Sequence, residues 1–449
     1  MPKRSVARTV AVAFALALLT ACGAGTPAGV SPSLSQATAL RAARSGTGAG
    51  KIQHVVFIVQ ENRSFDNLFQ GYPGADTQSW GKNSKGDTIQ LRPMSLARAY
   101  EIDHSAHAMF TACDGTGTLP GTKCRMDSFD KEQAFLAPPN PQFVYVPHNQ
   151  SKPYFDMAHE WVLADRMFQS QLDESFVAHQ YVIAAQAQSS VDLPDGKWGC
   201  EGGSSDIVQM ITDSRVYGGW QQACFDYQTL GDELDGAKLT WRFYTSKYTS
   251  PNGGEWSGYQ AVKHIFDGPD WSNVITPQKK FLTDVAAGTL DNFTWITPTC
   301  KNSDHIDCGS ATGPSWVTAL VNAVGESQFW DSTAIFVIWD DWGGLYDHVP
   351  PPYRGYDGVG FRVPMLVISP YARKNFVSHK QYETASVLRF AENLFNLGQL
   401  SQADARATSP AQDCFDFTKP PRAFGPIKAP KGAQYFLHQA PDFRIPDEQ

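Results

Sequence analysis

The sequence predicts an α/β fold with a mostly parallel central sheet that is covered by helices on both faces. Continuous apolar runs are typical of buried strands, and they lie at residues 52–60, 239–245, 293–298, 333–340 and 363–370. Amphipathic helical patterns alternate with these runs, at residues 176–188, 227–237, 315–327 and 384–397. Strands that are apolar throughout indicate a sheet buried on both faces, as parallel sheets are. A chain of 449 residues is long enough for one large domain of this kind with insertions.

The first 50 residues have the pattern of an export signal and a tether. The basic start "MPKR" is followed by the apolar run "VAVAFALALL", which is too short to favour a permanent membrane span. The letters "LTAC" then resemble a bacterial lipobox, which predicts removal of residues 1–21 as a signal peptide and lipidation of Cys22. A plain signal peptide with an incidental cysteine is the alternative. Residues 22–50 are rich in Gly, Ala, Ser and Thr and predict a flexible tether.

The N-terminal pattern predicts export from the cytoplasm, and the charge of the chain argues against one class of partner. We expect a protein anchored to the membrane at the cell envelope through its N-terminal lipid, or otherwise secreted or periplasmic. The net charge is −8, and no basic block follows the first few residues. Nucleic acid is therefore not an expected partner, because neutralising its phosphates requires clustered Lys and Arg.

The rest of the chain divides into a predicted domain at residues 51–400 and a tail. Within the domain, residues 70–150 and 189–225 are rich in Gly, Pro, Asp and Ser, which predicts long insertions that cap the sheet. Residues 401–449 are polar and proline-rich and predict a surface wrap or a loose tail.

Seven cysteines follow Cys22, and an exported chain permits disulfides. The sequence neighbours predict three local bridges, which are Cys113–Cys124, Cys200–Cys224 and Cys300–Cys308. Cys414 is left without a predicted partner. Metal–thiolate sites are the alternative, but no pair has the CxxC spacing that favours them.

Two predicted strands end in adjacent polar side chains. One runs into Glu61 and Asn62, and the other into Asp340 and Asp341, which "WGG" follows. The carboxyl ends of parallel strands meet at one edge of a sheet, where ligands bind. Three carboxylates gathered there would repel one another unless a cation lay between them. Acidic residues that only solvate a loop or cap a helix explain either end alone, but both ends together predict a divalent metal site of unspecified identity.

A third polar group lies at the start of a predicted helix. In "LDESFVAHQYVIAAQ", Ser175 comes just before the helical run, and His179 lies four residues later on the same face. The plainer interpretation is an N-cap serine and a surface histidine. The functional interpretation is a nucleophile at a helix N-terminus, where free N–H groups bind a phosphate oxyanion.

Four further histidines lie in polar loop contexts. They are His104 in "DHSAH", His264 in "VKHIF", His305 in "SDHID" and His348 in "YDHVPPP". A lone histidine is more often structural than catalytic. In a metal-dependent hydrolase, such side chains also serve as phosphate donors or leaving-group acids. Their spacing does not rank the four.

Several of these segments together resemble the bacterial phosphoesterase family. The matching segments are "HVVFIVQENRSFDNLFQGYPG", "SFVAHQY", "GPSWVTALVNAVGES", "WDDWGGLYDHVPPPY", "GFRVPMLVISPYAR" and "TASVLRF". That family unites non-haemolytic phospholipases C with an acid phosphatase branch on an alkaline-phosphatase-like fold. The resemblance covers about residues 52–400 in the same order, so it implies that residues 51–400 are a phosphoesterase catalytic domain.

The resemblance also implies roles for most of the candidate residues, and the loop or helix context of His179 and His348 makes them further candidates. The positions that match its metal ligands are Glu61, Asn62, Asp340, Asp341 and Ser175. The positions that match its catalytic residues are Ser175 as the nucleophile, with His104, His305 and, on weaker similarity, His264. The side chains expected to contact substrate are Asn62, His104, His179, His264 and His348. The cofactor implied is one divalent metal ion.

The activity implied is the metal-dependent hydrolysis of phosphoric esters through a phosphoserine. Ser175 and "DDWGG", where phospholipase members have threonine and "DEHGG", place the chain nearer the acid phosphatases, with a phosphorylated small molecule as substrate. The alternative is a phospholipase C acting on a phospholipid, in which Trp256, Tyr259 and Trp271 would surround a quaternary ammonium group. A more remote alternative is a non-enzymatic lipoprotein that binds phosphate or a glycan.

Overall fold

The computed structural model describes residues 46–194, 198–246, 256–442 and 444. Its central sheet has eight strands, which in chain order are β1 (His54–Gln60), β2 (Val162–Ala164), β3 (Trp241–Tyr244), β4 (Val274–Ile275), β5 (Phe293–Ile296), β6 (Thr333–Trp339), β7 (Met365–Ile368) and β8 (Phe376–Ser378). Across the sheet the order is β4-β3-β5-β1-β6-β7-β2-β8. The long central strands β1 and β6 are almost fully buried, as the continuous apolar runs predict.

The sheet is mostly parallel, with one exception. β4, β3, β5, β1 and β6 pair in parallel, as do β2 and β8. β7 is antiparallel to both of its neighbours, β6 and β2. The α/β prediction is therefore confirmed, and the apolar run at residues 363–370 is the strand whose direction differs from the rest.

Helices cover both faces of the sheet. They are α1 (Phe65–Phe69), α2 (Ala106–Cys113), α3 (His148–Glu160), α4 (Ser175–Ala184), α5 (Leu230–Gly236), α6 (Lys263–Phe266), α7 (Lys280–Ala286), α8 (Gly313–Gly325), α9 (Ala385–Phe395), α10 (Gln402–Arg406) and α11 (Ala433–Leu437). Phe336 and Trp339 of β6 point to opposite faces, since their positions differ by an odd number. Phe336 packs against Phe390 of α9, and Trp339 packs against Tyr154 of α3.

Short elements make up the predicted insertions and the connections. The minor strands are Trp80–Lys82, Thr88–Gln90, Arg92–Pro93, Glu101–Ile102, Ala134–Phe135, Val144–Tyr145, Met167–Phe168, Ser190–Val191, Ile207–Ile211, Tyr217–Gln222 and Tyr382–Glu383. The 3₁₀ turns are Phe129–Lys131, Gly199–Ser205, Gly258–Ala261, Pro269–Asn273, Cys300–Asn302, Trp330–Ser332 and Pro410–Gln412. The stretch 70–150 also holds α2 and the start of α3, so it is more ordered than its composition indicates.

The three predicted disulfides are present. The Cα–Cα distances are 4.5 Å for Cys113–Cys124, 4.6 Å for Cys200–Cys224 and 5.3 Å for Cys300–Cys308. Among the described residues, Cys414 is a free, buried thiol. The pairing inferred from sequence proximity is therefore confirmed.

The two ends of the chain differ in what the structure describes. The predicted signal peptide, Cys22 and most of the tether lie in residues 1–45, outside the described residues. In the described part of the chain, no helix is both long and apolar enough to cross a membrane. After residue 400, Phe415 and Phe436 are buried, so this stretch lies against the domain.

Candidate active site

Parallel pairing brings the ends of β1 and β6 together. Gln60 and Trp339 are partners in the ladder, so both strands end at the same edge of the sheet. The Asn62 backbone N–H donates to Asp340 Oδ1 at 3.2 Å, and the Asp340 N–H donates to the Gln60 carbonyl at 3.0 Å. The two polar pairs predicted to meet are therefore in contact.

The backbone at this edge is tightly constrained. Asn62 has a left-handed φ of 55°, which asparagine tolerates better than most residues. A Cβ on Gly343 would lie 2.5 Å from the Asn62 carbonyl oxygen, so the "WGG" glycine permits this close approach. The Gly343 N–H also donates to Asp341 Oδ1 at 2.8 Å. Glycine at this position therefore allows the two strand ends to pack together.

Helix α4 directs two further side chains into the cluster. Ser175 Oγ donates to Glu61 Oε2 at 3.3 Å, and His179 Nε2 lies 2.9 Å from Glu61 Oε1. Ser175 is the first residue of the helix and Glu174 is the N-cap residue, so the interpretation of Ser175 as the N-cap is wrong. The four-residue spacing turns Ser175 and His179 toward the same carboxylate.

His104 and His305 lie on another side of the same cluster. His104 Nε2 is 3.0 Å from Asn62 Nδ2 and 3.9 Å from Asp341 Oδ2. The ring centroids of His104 and His305 are 6.1 Å apart. Asp307 contacts His305 Nδ1 and orients that ring.

The structure does not bring His264 or His348 to this cluster. Both ring nitrogens of His264 contact carboxylates, at Asp226 and Asp232. Both ring nitrogens of His348 contact Asp66 and Asp76, at 2.6 and 3.0 Å. Among the described residues, neither histidine has a hydrogen bond or ion pair with Glu61, Asn62, Asp340 or Asp341, so their contacts with substrate stay predictions.

Asp66 and His348 belong to a second buried acidic group. Arg362 is fully buried and donates Nε to Asp347 Oδ1 at 3.0 Å and Nη2 to Asp66 Oδ1 at 3.4 Å. Burial opposes the charge of Arg362, but Asp347 and Asp66 outweigh burial and raise its pKa. This second group, defined as Asp66, Asp347, His348 and Arg362, therefore contains its own cation.

Two supports of the site were not identified from the sequence. Gln60 holds the loop that carries His305. Its Nε2 donates to the Asn302 carbonyl at 3.0 Å, and its Oε1 accepts from the Asp304 N–H at 3.1 Å. Asp173 accepts from the Glu174 N–H at 2.9 Å and the Ala106 N–H at 3.2 Å. It thereby joins the start of α4 to the start of α2, and burial raises its pKa well above the ordinary value. A polar residue that ends an apolar strand, such as Gln60, is the signal that sequence reasoning could have used.

The donor set at the sheet edge fits a divalent cation. Ligand atoms of Glu61, His179 and Asp340 all lie within 4.8 Å of one another, and all three residues are buried. Asp340 Oδ2 and Asn62 Oδ1 are buried and have no hydrogen-bond partner among the described residues. Carboxylate, amide and imidazole ligands together suit a divalent metal ion. His179, predicted as a substrate contact, is therefore also a candidate ligand.

Comparisons with known proteins agree on one family. The sequence model of the Phosphoesterase family matches residues 52–398. Non-specific phospholipase C1 of Arabidopsis thaliana is 24% identical, over 81% of this chain and 73% of its own length. Non-hemolytic phospholipase C of Pseudomonas aeruginosa is 24% identical, over 81% of this chain and 57% of its own length. Phospholipase C B of Mycobacterium tuberculosis is 24% identical, over 84% of this chain and 80% of its own length.

Likeness to solved structures is weaker. A protein in the alkaline phosphatase superfamily from Vibrio parahaemolyticus aligns with a TM-score of 0.38 and 11% identity, over 83% of this chain and 71% of that one. Similarity at this level carries no argument about the site.

Proposed function

The chain belongs to the Phosphoesterase family and hydrolyses phosphoester bonds, and from this premise we propose that it is a metal-dependent enzyme with Ser175 as its nucleophile. The observation that carries the proposal is the meeting of Ser175 Oγ, Glu61 and the Asp340 carboxylate at one buried edge of the sheet. A protein that only binds phosphate needs no hydroxyl in this position.

The residues that would hold one divalent ion are Glu61, Asn62, Asp340 and Asp341, with Ser175 and His179 as further candidates. When bound, such an ion supplies positive charge that stabilises the phosphoryl oxygens and favours ionisation of a nearby hydroxyl. The unpartnered oxygens of Asp340 and Asn62 support this assignment, because buried polar atoms without partners are costly unless a ligand satisfies them.

In the proposed reaction, Ser175 attacks phosphorus. Its hydroxyl proton points toward Glu61, which leaves the oxygen lone pairs for the phosphorus atom. The first turn of α4 presents N–H groups without intrahelical acceptors, and these stabilise a phosphoryl oxygen beside the serine. Glu61 accepts the hydroxyl proton as the bond from Ser175 Oγ to phosphorus forms and the P–O bond to the leaving group breaks. Water then hydrolyses the phosphoserine, which releases phosphate and restores the Ser175 hydroxyl.

His305 is the candidate proton donor to the leaving oxygen. It lies on the His104 side of the cluster, and the loop that carries it is held by Gln60 and by the Cys300–Cys308 bridge. Asp307 holds its ring from the Nδ1 side, which leaves Nε2 as the atom for proton transfer.

A phosphomonoester is the substrate class we favour. Trp342 occupies the position at which the resembling phospholipases have the histidine of "DEHGG". Its ring is fully buried against Phe129 and Phe361, and its Nε1 donates to the His104 carbonyl at 3.3 Å. A packing side chain therefore lies where those enzymes have a polar group.

A phospholipase C is the second candidate, and the names of the relatives favour it. The aromatic residues considered for a quaternary ammonium site do not gather in one place. Trp256 lies beside His305, with ring centroids 5.9 Å apart, whereas Tyr259 stacks on Trp241 and Trp271 packs against Phe266. Only the first of these contacts involves a site residue.

Two measurements test the proposal. Turnover of p-nitrophenyl phosphate, bis-p-nitrophenyl phosphate and phosphatidylcholine vesicles with added divalent metal would rank the substrate classes, and we expect the monoester to be fastest. Ser175→Ala should lower turnover by about 10³-fold or more, and Ser175→Thr should retain part of it because threonine offers the same hydroxyl. A folded, metal-loaded Ser175→Ala enzyme with wild-type turnover would exclude the serine nucleophile.

A further inference from the structure

We propose that three residues of the C-terminal tail, Gln439, Asp442 and Arg444, are positioning residues for His305, the candidate proton donor to the leaving oxygen. These three residues are called the tail clamp below. The inference rests on the proposed function, since it concerns a residue of the same site. It gives the tail a role in the reaction, beyond that of a wrap over the surface.

The tail clamp contacts both ends of the loop that carries the proton donor. This loop, residues 300–308, is closed by a disulfide. At its start the Lys301 N–H donates to Asp442 Oδ2, and at its end the Cys308 carbonyl accepts from Arg444 Nη1. Arg444 also donates Nε and Nη2 to the two oxygens of Asp442, each at 3.1 Å. One ion pair therefore joins the two ends of the loop from outside.

Gln439 contacts the same loop through Asn302, which is buried. Asn302 Nδ2 donates to Gln439 Oε1 at 2.8 Å, and the Asn302 carbonyl accepts from Gln60 Nε2 at 3.0 Å. Gln60 is the last residue of β1 and belongs to the sheet edge. The loop is therefore held between the sheet edge on one side and the tail clamp on the other.

The tail clamp is itself anchored to the body of the domain. Phe436 is buried, and its ring centroid lies 5.1 Å from that of Trp316 in α8. Lys279, which precedes α7, donates Nζ to the carbonyls of Leu437 and Gln439, at 3.0 and 3.2 Å. The disulfide limits the shape of the loop, whereas these contacts fix where the loop lies relative to the rest of the domain.

The place of this loop matters because proton transfer depends on distance. A general acid must lie within hydrogen-bond reach of the leaving oxygen, and a displacement of about 1 Å can lower a rate by about 10²-fold. His305 and Asp307, which contacts its Nδ1, both lie in the loop that the tail clamp holds. Loosening the tail clamp should therefore slow the release of leaving groups that need a proton more than the release of those that do not.

The test compares kcat/KM for phenyl phosphate and p-nitrophenyl phosphate with added divalent metal. This constant includes departure of the leaving group but not the later hydrolysis of the phosphoserine. Asp442→Ala removes the acceptor of the Lys301 N–H and the partner of Arg444. We expect it to lower kcat/KM by about 10-fold for phenyl phosphate, whose leaving group is the more basic, and by less than about 3-fold for p-nitrophenyl phosphate. Asp442→Asn keeps an oxygen for the Lys301 N–H and should recover part of the loss.

Two controls define the scale of the effect. His305→Ala removes the acid and should lower kcat/KM for phenyl phosphate by about 10²-fold or more, and adding Asp442→Ala to it should cause no further loss. Asp416→Ala is the matched change elsewhere in the tail, where the carboxylate contacts Thr418 and Lys419. It should leave kcat/KM for both substrates near the wild-type values.

Several outcomes would overturn the inference. Equal losses on the two substrates in Asp442→Ala, or a further loss in the double variant, would show that the tail clamp does not act through His305. A His305→Ala enzyme with the wild-type ratio of the two rates would show that His305 is not the acid, and would leave the Ser175 nucleophile intact. A wild-type protein that hydrolyses no phosphoester would overturn the inference and the proposed function together.

Two substitutions keep the test decisive. If the wild type prefers diesters, methyl phenyl phosphate and methyl p-nitrophenyl phosphate take the place of the monoesters. Thermal unfolding checks each variant, and Gln439→Ala, which removes only the acceptor of the Asn302 amide, replaces Asp442→Ala if that protein does not fold. The same selective loss on the phenyl ester is expected from it, and an unchanged ratio would count against the tail clamp.

Discussion

Two buried acidic groups in this protein arise from the same two sequence motifs, yet their contacts differ. "ENRSFD" supplies Glu61 and Asn62 to the sheet edge and Asp66 to the second group. "DDWGGLYDH" supplies Asp340 and Asp341 to the sheet edge, and Asp347 and His348 to the second group. In the second group a guanidinium, Arg362, lies between two aspartates. At the sheet edge an imidazole, His179, lies between Glu61 and Asp340.

The two groups differ in whether their buried polar atoms have partners within the chain, and this separates a structural cluster from a candidate ligand site. Nε and Nη2 of Arg362 donate within its group, where both Asp347 oxygens accept from them, and Nη1 donates to the Asp165 carbonyl at 2.9 Å. At the sheet edge, Asp340 Oδ2 and Asn62 Oδ1 accept from no described residue. A buried charge that is paired within the chain needs no ligand, whereas buried oxygens without donors are costly unless water or a ligand satisfies them.

The largest expected effect is on activity, from a change at the sheet edge. Asp340→Asn should lower phosphoester turnover by about 10³-fold or more, because an amide lacks the charge that holds a divalent ion. Its unfolding free energy without metal should change by less than about 1 kcal/mol, since the amide oxygen still accepts from the Asn62 N–H. Turnover assays and urea titrations in EDTA measure the two quantities.

The matched control is the same chemical change in the second group. Asp347→Asn should leave turnover per folded molecule near that of the wild type but lower stability, because it weakens the partner of a buried guanidinium. If the two variants showed the reverse pattern, the assignment of the two groups would be exchanged.

The next effect is on stability, from removing the internal cation. Arg362→Met leaves Asp66 and Asp347 buried side by side and should cost about 3–5 kcal/mol, measured by urea unfolding. Arg362→Lys keeps the charge but not the paired donors and should cost less. An Arg362→Met protein as stable as the wild type would show that the second group does not depend on its guanidinium.

The smallest effect is on the pH dependence of stability. Burial opposes protonation of His348, but the hydrogen bond and charge of Asp66 outweigh it and raise the pKa of His348 above 6.5. Because the folded state then holds this proton more tightly than the unfolded state, the contribution is complete below pH 6.5 and is lost as the pH rises through the folded pKa. We expect the difference in unfolding free energy between wild type and His348→Gln to shrink between about pH 6 and 8. A difference that stays constant or grows with pH would argue against a protonated His348.

The sheet-edge cluster was predictable because it depends only on which segments form strands and on those strands being parallel. Parallel strands place their carboxyl ends together, so Glu61, Asn62, Asp340 and Asp341 could be expected to meet before any coordinates were known. The partners of His264 and His348 could not be predicted in the same way. Their neighbours come from loops, and loop geometry is not encoded in a periodic pattern.

Several strands and one helix of the fold could not be predicted, because their sequences lack a pattern that identifies them. An apolar run such as residues 363–370 does not encode strand direction, so the antiparallel β7 was not predictable. β2 and β8 have three residues each, which is too short for periodicity to identify. α3 contains Pro153 and many polar residues, so its sequence reads as a loop although it packs on the sheet.

The most direct test of the account is the metal content of three proteins. Wild type, Asp340→Asn and Asp347→Asn would be stripped with EDTA, re-equilibrated with Mn²⁺, Mg²⁺, Ca²⁺ or Zn²⁺, and measured by elemental analysis after gel filtration. We expect a single tightly held ion in the wild type and in folded Asp347→Asn, and none in Asp340→Asn. An ion retained in Asp340→Asn but lost in Asp347→Asn would place the metal in the second group and contradict the proposed site.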